Sequence, residues 1–183
     1  MKRVSVILFL ILLISFPQLV KAQELVLVEP GMTPDNPFYF LDTLAEKVQL
    51  LLTKEEEKVE KILSITEEKL AEVEAMVKKD DEKAIERAKK QYEHQIQNAL
   101  KRTEDYEGSS KENALMRIEE ATQRHQLRLQ EVLEKVPEQA KDAIQKVIEK
   151  SAYGHDTAVD AITKSKGNSN KNNGNSEGRI DQE

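Results

Sequence analysis

The chain has no cysteine and no tryptophan, and aromatic residues make up only 4% of its 183 residues. The absence of cysteine excludes a disulfide framework, a cysteine-ligated zinc site, a thiol nucleophile and a lipid-modified cysteine at a signal cleavage site. Two of the four phenylalanines, Phe9 and Phe16, lie near the N-terminus, so the rest of the chain must pack mainly with Leu, Ile, Val and Ala. This aliphatic composition favours helices over sheets.

Sequence motifs for catalysis and metal binding are also missing. The chain has no His-Glu-x-x-His zinc motif, no Glu-x-x-His motif of di-iron bundles, no Gly-x-x-x-x-Gly-Lys-[Ser/Thr] phosphate loop and no Gly-x-Ser-x-Gly nucleophile elbow. The formal net charge of −6 argues against nucleic-acid binding, because that function needs cations facing phosphates. We therefore expect a protein that is not an enzyme, with no catalytic residues, no cofactor and no nucleic-acid partner.

The first 22 residues have the three-part pattern of a secretory signal peptide. The basic residues Lys2 and Arg3 precede an apolar run over residues 4–16, and the predicted cleavage site lies between Ala22 and Gln23. The alternative is an uncleaved membrane anchor, although the run of about 13 residues is shorter than the 17–25 residues that a spanning helix needs. Both interpretations predict export to the cell envelope, periplasm or extracellular space, with membrane contact only through this segment if it is retained.

Residues 36–163 predict an all-α bundle of about five helices. A linker over residues 23–35 precedes the bundle, and a polar tail over residues 164–183 follows it and is predicted to be disordered, since it has almost no apolar residues. The last four helices carry apolar residues at alternating spacings of three and four, which is the heptad-like pattern of near-parallel helix packing. The predicted helix boundaries lie at Asn36-Pro37, Thr53, Asp80-Asp81, Gly108-Ser109 and Pro137.

The first helix is the most apolar of the predicted mature chain, and we expect it to be the most buried. Its apolar residues share one face at helical spacing, namely Phe38, Leu41, Ala45, Val48 and Leu52. Phe38 and Phe40 are expected to anchor this helix in the core. Truncating a buried Phe to Ala costs about 3–5 kcal/mol, so Phe38→Ala is expected to abolish cooperative thermal unfolding.

Local cues predict how the later helices begin and continue. Capping boxes starting at Thr53 and Ser109 are expected to open the second and fourth helices, and an aspartate at 80 or 81 is expected to cap the third. Gly154 interrupts the fifth helix while the apolar phase continues beyond it, so it marks either a stop or a bend. We favour one helix bent at Gly154.

Two of the three histidines lie on predicted buried faces. His125 is in the middle of the apolar face of the fourth helix, and His155 continues the core face of the fifth, whereas His94 is expected to be exposed. A histidine in such a position is usually a packed, hydrogen-bonded residue. The alternative is a shared metal or proton-sensing site formed by His125 and His155, which would need carboxylate ligands as well.

Two stretches of the chain resemble a known prokaryotic family. The first reads Pro-Gly-Met-Thr-Pro-Asp-Asn-Pro-Phe-Tyr from Pro30, and the second reads Val-Pro-Glu-Gln-Ala-Lys-Asp-Ala-Ile from Val136 and leads to the Gly154-His155 pair. Together they resemble the "domain of unknown function 5667" family of exported helical proteins over roughly residues 30–162. The resemblance implies export, a helical fold and recurring histidines at 125 and 155, but no reaction.

These observations favour a non-enzymatic cell-envelope protein that acts as a protein-interaction or structural module. The expected partner is another envelope or surface protein, and self-association through a helix seam is an alternative. Two other functions stay open. One is an envelope chaperone that holds unfolded clients, and the other is a metal- or pH-responsive binder that uses His125 and His155.

Overall fold

The computed structural model describes residues 28–173, with side chains as far as Lys166. Within this range the chain forms five α-helices and no strands, so the predicted all-α fold is confirmed. Short 3₁₀ turns at Glu55–Glu57 and Thr103–Asp105 precede the second helix and follow the third. The helices are α1 (Tyr39–Leu52), α2 (Lys58–Lys79), α3 (Glu82–Arg102), α4 (Gly108–Lys135) and α5 (Glu138–Asn173).

The bundle core is formed by α2 to α5, and the seam residues predicted for these helices point into it. The predicted seam residues of α2 are all buried, namely Val59, Leu63, Thr66, Leu70, Val73 and Val77. Those of α3 are also buried along most of the helix, namely Ile85, Ala88, Tyr92, Ile96 and Ala99. The main packing pairs are α2 with α3, α4 with α5, and α3 with α5, and α2 also contacts α4. Ion pairs link these two helices in register, because Glu60, Glu67 and Glu74 recur every seven residues and meet Arg117, Arg124 and Arg128.

The core contains two apolar clusters with buried polar residues between them. One cluster is centred on Leu70, Tyr92 and Leu129, and the other on Leu63, Ile118 and Ala158. Along α2, α4 and α5 the residues that fall between these clusters are Thr66, Thr122, His125 and Ser151, all of which are buried. Each hydroxyl among them donates to a backbone carbonyl, so the cost of burying it is offset.

Gly154 lies where α5 packs closely against α3 and α4. The helix continues through this glycine, so the alternative of a stop is wrong, and the bend favoured from the sequence stays a prediction. A Cβ at this position would lie 2.7 Å from Cγ2 of Ile96 and 3.3 Å from Cγ2 of Thr122. The glycine is therefore needed for close packing, although it lowers helix propensity by about 1 kcal/mol relative to alanine.

We expect Gly154→Val to destabilise the bundle by about 1–3 kcal/mol, because the added methyl groups overlap Ile96 in a packed core. Urea-induced unfolding followed by circular dichroism measures this change. Gln145→Val is the matched control, since it places the same β-branched residue at an exposed position of α5. Equal stability of the two variants would contradict the close approach at Gly154.

The prediction that the first helix is the most buried is wrong. Only Glu46 is buried in α1, and Phe38 is 59% exposed. The helix packs on α2 through its polar side, which carries Tyr39, Asp42 and Glu46, and turns its apolar side outward. We call this outward side the α1 apolar face, formed by Phe38, Phe40, Leu41, Leu44, Val48, Leu51 and Leu52.

Of the four side-chain caps predicted for the helix starts, only the aspartate cap of α3 forms in the described chain. Asp81 caps α3 by accepting the N–H of Ala84 at 3.0 Å. Asn36 accepts the N–H of Phe38 at 2.8 Å in the turn before α1, which begins at Tyr39 without a side-chain cap, so the start predicted at Asn36-Pro37 is too early. Neither predicted capping box forms. The hydroxyl of Thr53 donates to the carbonyl of Gln49 at the end of α1, and α4 already begins at Gly108 without a side-chain cap.

The ends of the predicted bundle are only partly covered by the described residues. The sequence places the start of the polar tail at residue 164, whereas α5 continues to Asn173. An ion pair of 3.3 Å between Lys166 and Glu112 holds the first part of this extension against α4. The predicted signal peptide and residues 174–183 lie outside the described range. Among the described helices, none has the length and apolar character required to cross a membrane.

Candidate functional site

A buried ionic cluster attaches α1 to α2. The ammonium group of Lys69 is fully buried and contacts the carboxylates of Glu46, Asp42 at 3.4 Å and Glu72 at 2.6 Å. Tyr39 donates its hydroxyl to Glu72 at 2.6 Å, and its ring lies 5.1 Å from the Lys69 nitrogen. A charge taken out of water is tolerated only when several opposite charges and hydrogen bonds surround it. We call these residues, with the neighbouring Glu68, the Lys69 cluster.

Carboxyl groups outnumber cations in the Lys69 cluster, and their pKa values reflect this imbalance. Burial raises the pKa of Glu72 to about 7, against the opposing effect of its hydrogen bonds with Lys69 and Tyr39. Burial likewise raises the pKa values of Glu46 and Glu68 above their usual range. The pKa of Lys69 is also raised, because its hydrogen bonds with Glu46 and Glu72 outweigh desolvation.

The attachment of α1 is expected to weaken as pH rises from about 4.5 to about 7. A carboxyl group whose pKa is higher in the folded state contributes stability that is complete below its unfolded pKa and is lost as pH rises through the folded value. For Glu72 this window runs from 4.5 to about 7. Hydrogen exchange of the α1 amides, corrected for the intrinsic exchange rate at each pH, measures the effect.

Glu72→Gln is the control for this pH dependence, because glutamine has nearly the same size and shape as glutamate and can form hydrogen bonds, but it cannot ionise. The variant should show a flatter protection profile for α1. His125 acts in the opposite direction, since burial lowers its pKa, but it belongs to the central core and would change global stability rather than α1 alone. Protection of α1 that increases with pH would contradict the expectation.

The cluster also includes the one group of three potential metal-ligating side chains found among the described residues. Carboxylate oxygens of Asp42, Glu46 and Glu68 all lie within 4.8 Å of one another. Two of the three already contact Lys69, which supplies the positive charge that an ion would otherwise bring. Gly31, with φ +57°, packs directly on Glu68, and a side chain at this position would collide with the carboxylate. The arrangement therefore acts as an attachment between the N-terminal segment, α1 and α2.

His125 is buried in the core and has polar neighbours on both ring nitrogens. The hydroxyl of Tyr92 lies 3.1 Å from Nδ1, and a carboxylate oxygen of Glu67 lies 3.7 Å from Nε2. Burial lowers the pKa of this imidazole, and His125 together with Arg124 lowers the pKa of Glu67 to about 2. A neutral ring fits this geometry when Nδ1 accepts from Tyr92 and the proton on Nε2 faces the Glu67 carboxylate, although Nε2 itself has no partner within hydrogen-bond distance among the described residues.

The structure gives His155 a different partner from His125. Its Nδ1 lies 3.3 Å from the backbone carbonyl of Glu119, whereas His125 is six residues further along α4, a rise of about 9 Å. Among the described residues no hydrogen bond or ring contact joins the two imidazoles, and neither belongs to the carboxylate group around Glu68. A shared metal site of His125 and His155 stays a prediction that these contacts do not support. His94 is exposed, as expected.

The Lys69 cluster was not predicted from the sequence, because the apolar side of the first helix was expected to face the core. A usable pattern was present, since Tyr39, Asp42 and Glu46 recur at helical spacing on the opposite side. Lys69 and Glu72 lie three residues apart in α2, and this spacing is typical of an exposed ion pair on a helix surface. Only the packing of α1 on α2 converts these surface patterns into one buried group.

Comparison with known proteins agrees with the resemblance seen in the sequence. No curated protein and no solved structure matches this chain. A family model described as "Domain of unknown function (DUF5667)" matches residues 31–139, which include Gly31, Tyr39, the Lys69 cluster and His125. The match ends at Gln139, before His155. Since the match extends over more than half of the sequence, the chain belongs to the DUF5667 family.

Proposed function

We propose that this protein is exported to the cell envelope and acts there by binding a helical segment of another protein rather than by catalysis. The observation that carries the proposal is the α1 apolar face, on which seven large apolar side chains are exposed together. Contiguous apolar surface of this kind marks interaction sites on soluble proteins. The predicted signal peptide supports the envelope as the location of this interaction.

The spacing of the exposed residues favours a helix as the bound element. Phe38, Leu41, Ala45, Val48 and Leu52 follow the alternating three- and four-residue steps of a heptad seam. Such a seam packs most efficiently against a second helix at a shallow angle. In α2 to α5 the same pattern is already used inside the bundle, whereas in α1 it faces outward.

The distribution of titratable groups supports binding over catalysis. Catalytic acids and bases must reach a substrate in a cleft. Here the groups with strongly perturbed pKa values, in the Lys69 cluster and around His125, are covered and engaged with one another. Their contacts serve to attach helices, which is the role that an interaction module requires.

Export and binding are tested separately. Residues 1–30 fused to a phosphatase that is active only after export should give activity, and deletion of residues 4–16 should abolish it. For binding, a photo-crosslinking amino acid replaces Leu44, which is 54% exposed on the α1 apolar face, in the native host. The same replacement at Leu127, which is 56% exposed on α4, is the matched control.

The supporting result is one discrete adduct from position 44, absent from position 127, whose cross-linked peptide belongs to an amphipathic helix of an exported protein. Adducts that are absent from both positions, or equal at both, would overturn the proposed binding function. Full activity of the phosphatase fusion without residues 4–16 would overturn export by this segment.

The same exposed face also favours a second candidate function, namely a holdase that shields unfolded clients. A holdase binds many apolar segments without a preferred partner. The full chain should then suppress aggregation of reduced insulin, and Val48→Asp should remove this activity. A chain that leaves insulin aggregation unchanged is not a holdase.

A further inference from the structure

A basic groove lies at the C-terminal end of α1. It has a volume of about 530 Å³ and lies between α1, the start of α2 and the end of α3. Its apolar floor includes Leu50 and Ile62, and its cations are Lys47, Lys58, Lys101 and Arg102, with Asp105 as the acid in its lining. This is a local excess of positive charge in a chain whose net charge is −6.

Two of the four cations have no acidic partner among residues 28–166. Lys58 pairs with Glu55 at 2.6 Å, and Arg102 pairs with Glu55 at 2.9 Å and Asp105 at 3.1 Å. In the part of the chain that the structure describes, neither Lys47 nor Lys101 forms an ion pair, and both are exposed. The groove therefore presents free positive charge that an anionic ligand would complement.

The basic groove is continuous with the α1 apolar face. Leu51 belongs to both surfaces and is 80% exposed. The 14 residues of α1 give a length of about 21 Å, and the groove extends this surface further. A small anion would contact only the groove, whereas a helix of similar length would contact both surfaces at once.

We propose that the segment bound by this protein is an acidic amphipathic helix, which lies along the α1 apolar face and places its carboxylates in the basic groove. This inference rests on the proposed function and adds the chemistry of the partner. Apolar residues of the partner helix pack on the heptad seam. Its acidic residues meet Lys47 and Lys101, which speeds association and fixes the direction of the helix.

The distribution of charge disfavours three other ligands of this surface, namely a second copy of the chain, residues 4–16 and an anionic membrane. In a second copy of the chain, the acids of α1 are Asp42 and Glu46, and both are engaged with Lys69, so pairing of two α1 helices would offer Lys47 no free carboxylate from α1 itself. Residues 4–16 contain no acidic residue. An anionic membrane would attract two free lysines by only about 1 kcal/mol each, while the rest of this acidic chain is repelled.

The test uses three designed 18-residue peptides, with binding measured by fluorescence anisotropy. One carries leucine at heptad positions with flanking glutamates, the second has lysines in place of the glutamates, and the third is a scrambled acidic sequence. The proteins are the full chain, the chain starting at Gln23, Val48→Asp, and the double variant Lys47→Glu/Lys101→Glu. The matched controls are Leu127→Asp and the exposed double variant Lys90→Glu/Lys135→Glu.

The expected result is that the acidic heptad peptide binds at least about tenfold more tightly than the lysine peptide. Val48→Asp and Lys47→Glu/Lys101→Glu should each weaken its binding about tenfold or more, and higher salt should weaken it further. Both controls should change binding less than about twofold. Circular dichroism checks that every variant stays helical.

Several results would overturn the proposal. Equal binding of the acidic and lysine peptides would show that the basic groove does not select acidic partners. If neither peptide binds, the partner is not an acidic amphipathic helix. The occupant would be a lipid surface if phosphatidylglycerol vesicles bind through Lys47 and Lys101, or a second copy if sedimentation shows a dimer that Val48→Asp dissociates. Peptide binding only after residues 1–22 are removed would make that segment the occupant. Cross-linking from Leu44 to an amphipathic helix without acidic residues would overturn the acidic partner and leave the proposed binding function intact.

Discussion

Replacing Lys69 with methionine is expected to release α1 from the bundle. The substitution removes the cation that Asp42, Glu46 and Glu72 share, and leaves their carboxylates close together in a covered site. Removing one partner of a buried ion pair costs about 3–5 kcal/mol, because the remaining charge is uncompensated. The carboxyl groups of Lys69→Met must therefore take up protons or separate, and separation moves α1 away from α2.

Hydrogen exchange measured peptide by peptide should locate this effect. Amides of α1 are expected to exchange on the order of a hundredfold faster in Lys69→Met, since each 1.4 kcal/mol corresponds to a tenfold change. The amides of α2 to α5 should keep most of their protection, because α1 contributes only Leu50 to the two apolar clusters of the described chain. Unchanged protection of α1 would show that the Lys69 cluster does not hold it.

Lys79→Met is the matched control for this substitution. Lys79 is on the same helix and pairs with Asp35 at 2.7 Å, but this pair is exposed to solvent. Exposed ion pairs contribute about 1 kcal/mol or less. Comparable effects of the two substitutions would mean that burial of Lys69 is not what gives its ion pairs their strength.

Tyr92→Ala is expected to destabilise the whole bundle by about 3–5 kcal/mol, because it removes a fully buried aromatic ring and leaves a cavity. Tyr92 packs in the cluster around Leu70 and Leu129, and its ring lies 5.6 Å from that of His125 in an edge-to-face arrangement. Truncation also leaves Nδ1 of His125 without its 3.1 Å partner. Thermal unfolding should show a midpoint lower by about 10 °C or more.

Phe38→Ala is the contrasting variant and should change stability by less than about 1 kcal/mol, since Phe38 is exposed. This expected result replaces the one based on the sequence alone, in which Phe38 was a core anchor. Tyr92→Phe isolates the hydroxyl and should cost about 1–3 kcal/mol, because a buried acceptor loses its donor. A large effect of Phe38→Ala with a small effect of Tyr92→Ala would reverse the assignment of core and surface.

The α1 apolar face points outward because two free energies compete, namely the cost of burying Lys69 without partners and the gain from burying apolar side chains. Leaving the buried Lys69 without partners would cost several kcal/mol, and burying an aliphatic side chain gains about 1.5–3 kcal/mol. A few carboxylate contacts can thus compete with two or three buried leucines. Since α2 to α5 already close the core, the apolar side of α1 has no comparable site within the described chain.

This orientation links stability to the proposed binding. The contacts that hold α1 are polar, and they keep its apolar seam available to a partner. Because the attachment of α1 is expected to weaken at higher pH, fewer molecules would then hold the apolar seam in the orientation that a partner binds. Binding of an acidic helix across α1 and the basic groove would add apolar contacts on the outer side and hold α1 from both sides.

The sequence alone determined that the protein is helical, how many helices it has and which faces of α2 to α5 point inward. Those features depend on residue composition and on apolar spacing within one helix, which can be read along the chain. It also predicted an aspartate cap for α3, because a cap interacts with backbone only three residues away.

Only the tertiary structure decided which side of α1 faces the bundle and which polar residues meet. Helical spacing identifies an apolar side, but it does not reveal that a buried lysine 27 residues from Asp42 competes for the opposite side. Tyr92 and His125 are 33 residues apart, and their contact depends on how α3 packs on α4. Long-range ion pairs and hydrogen bonds depend on the relative positions of helices, which no local pattern encodes.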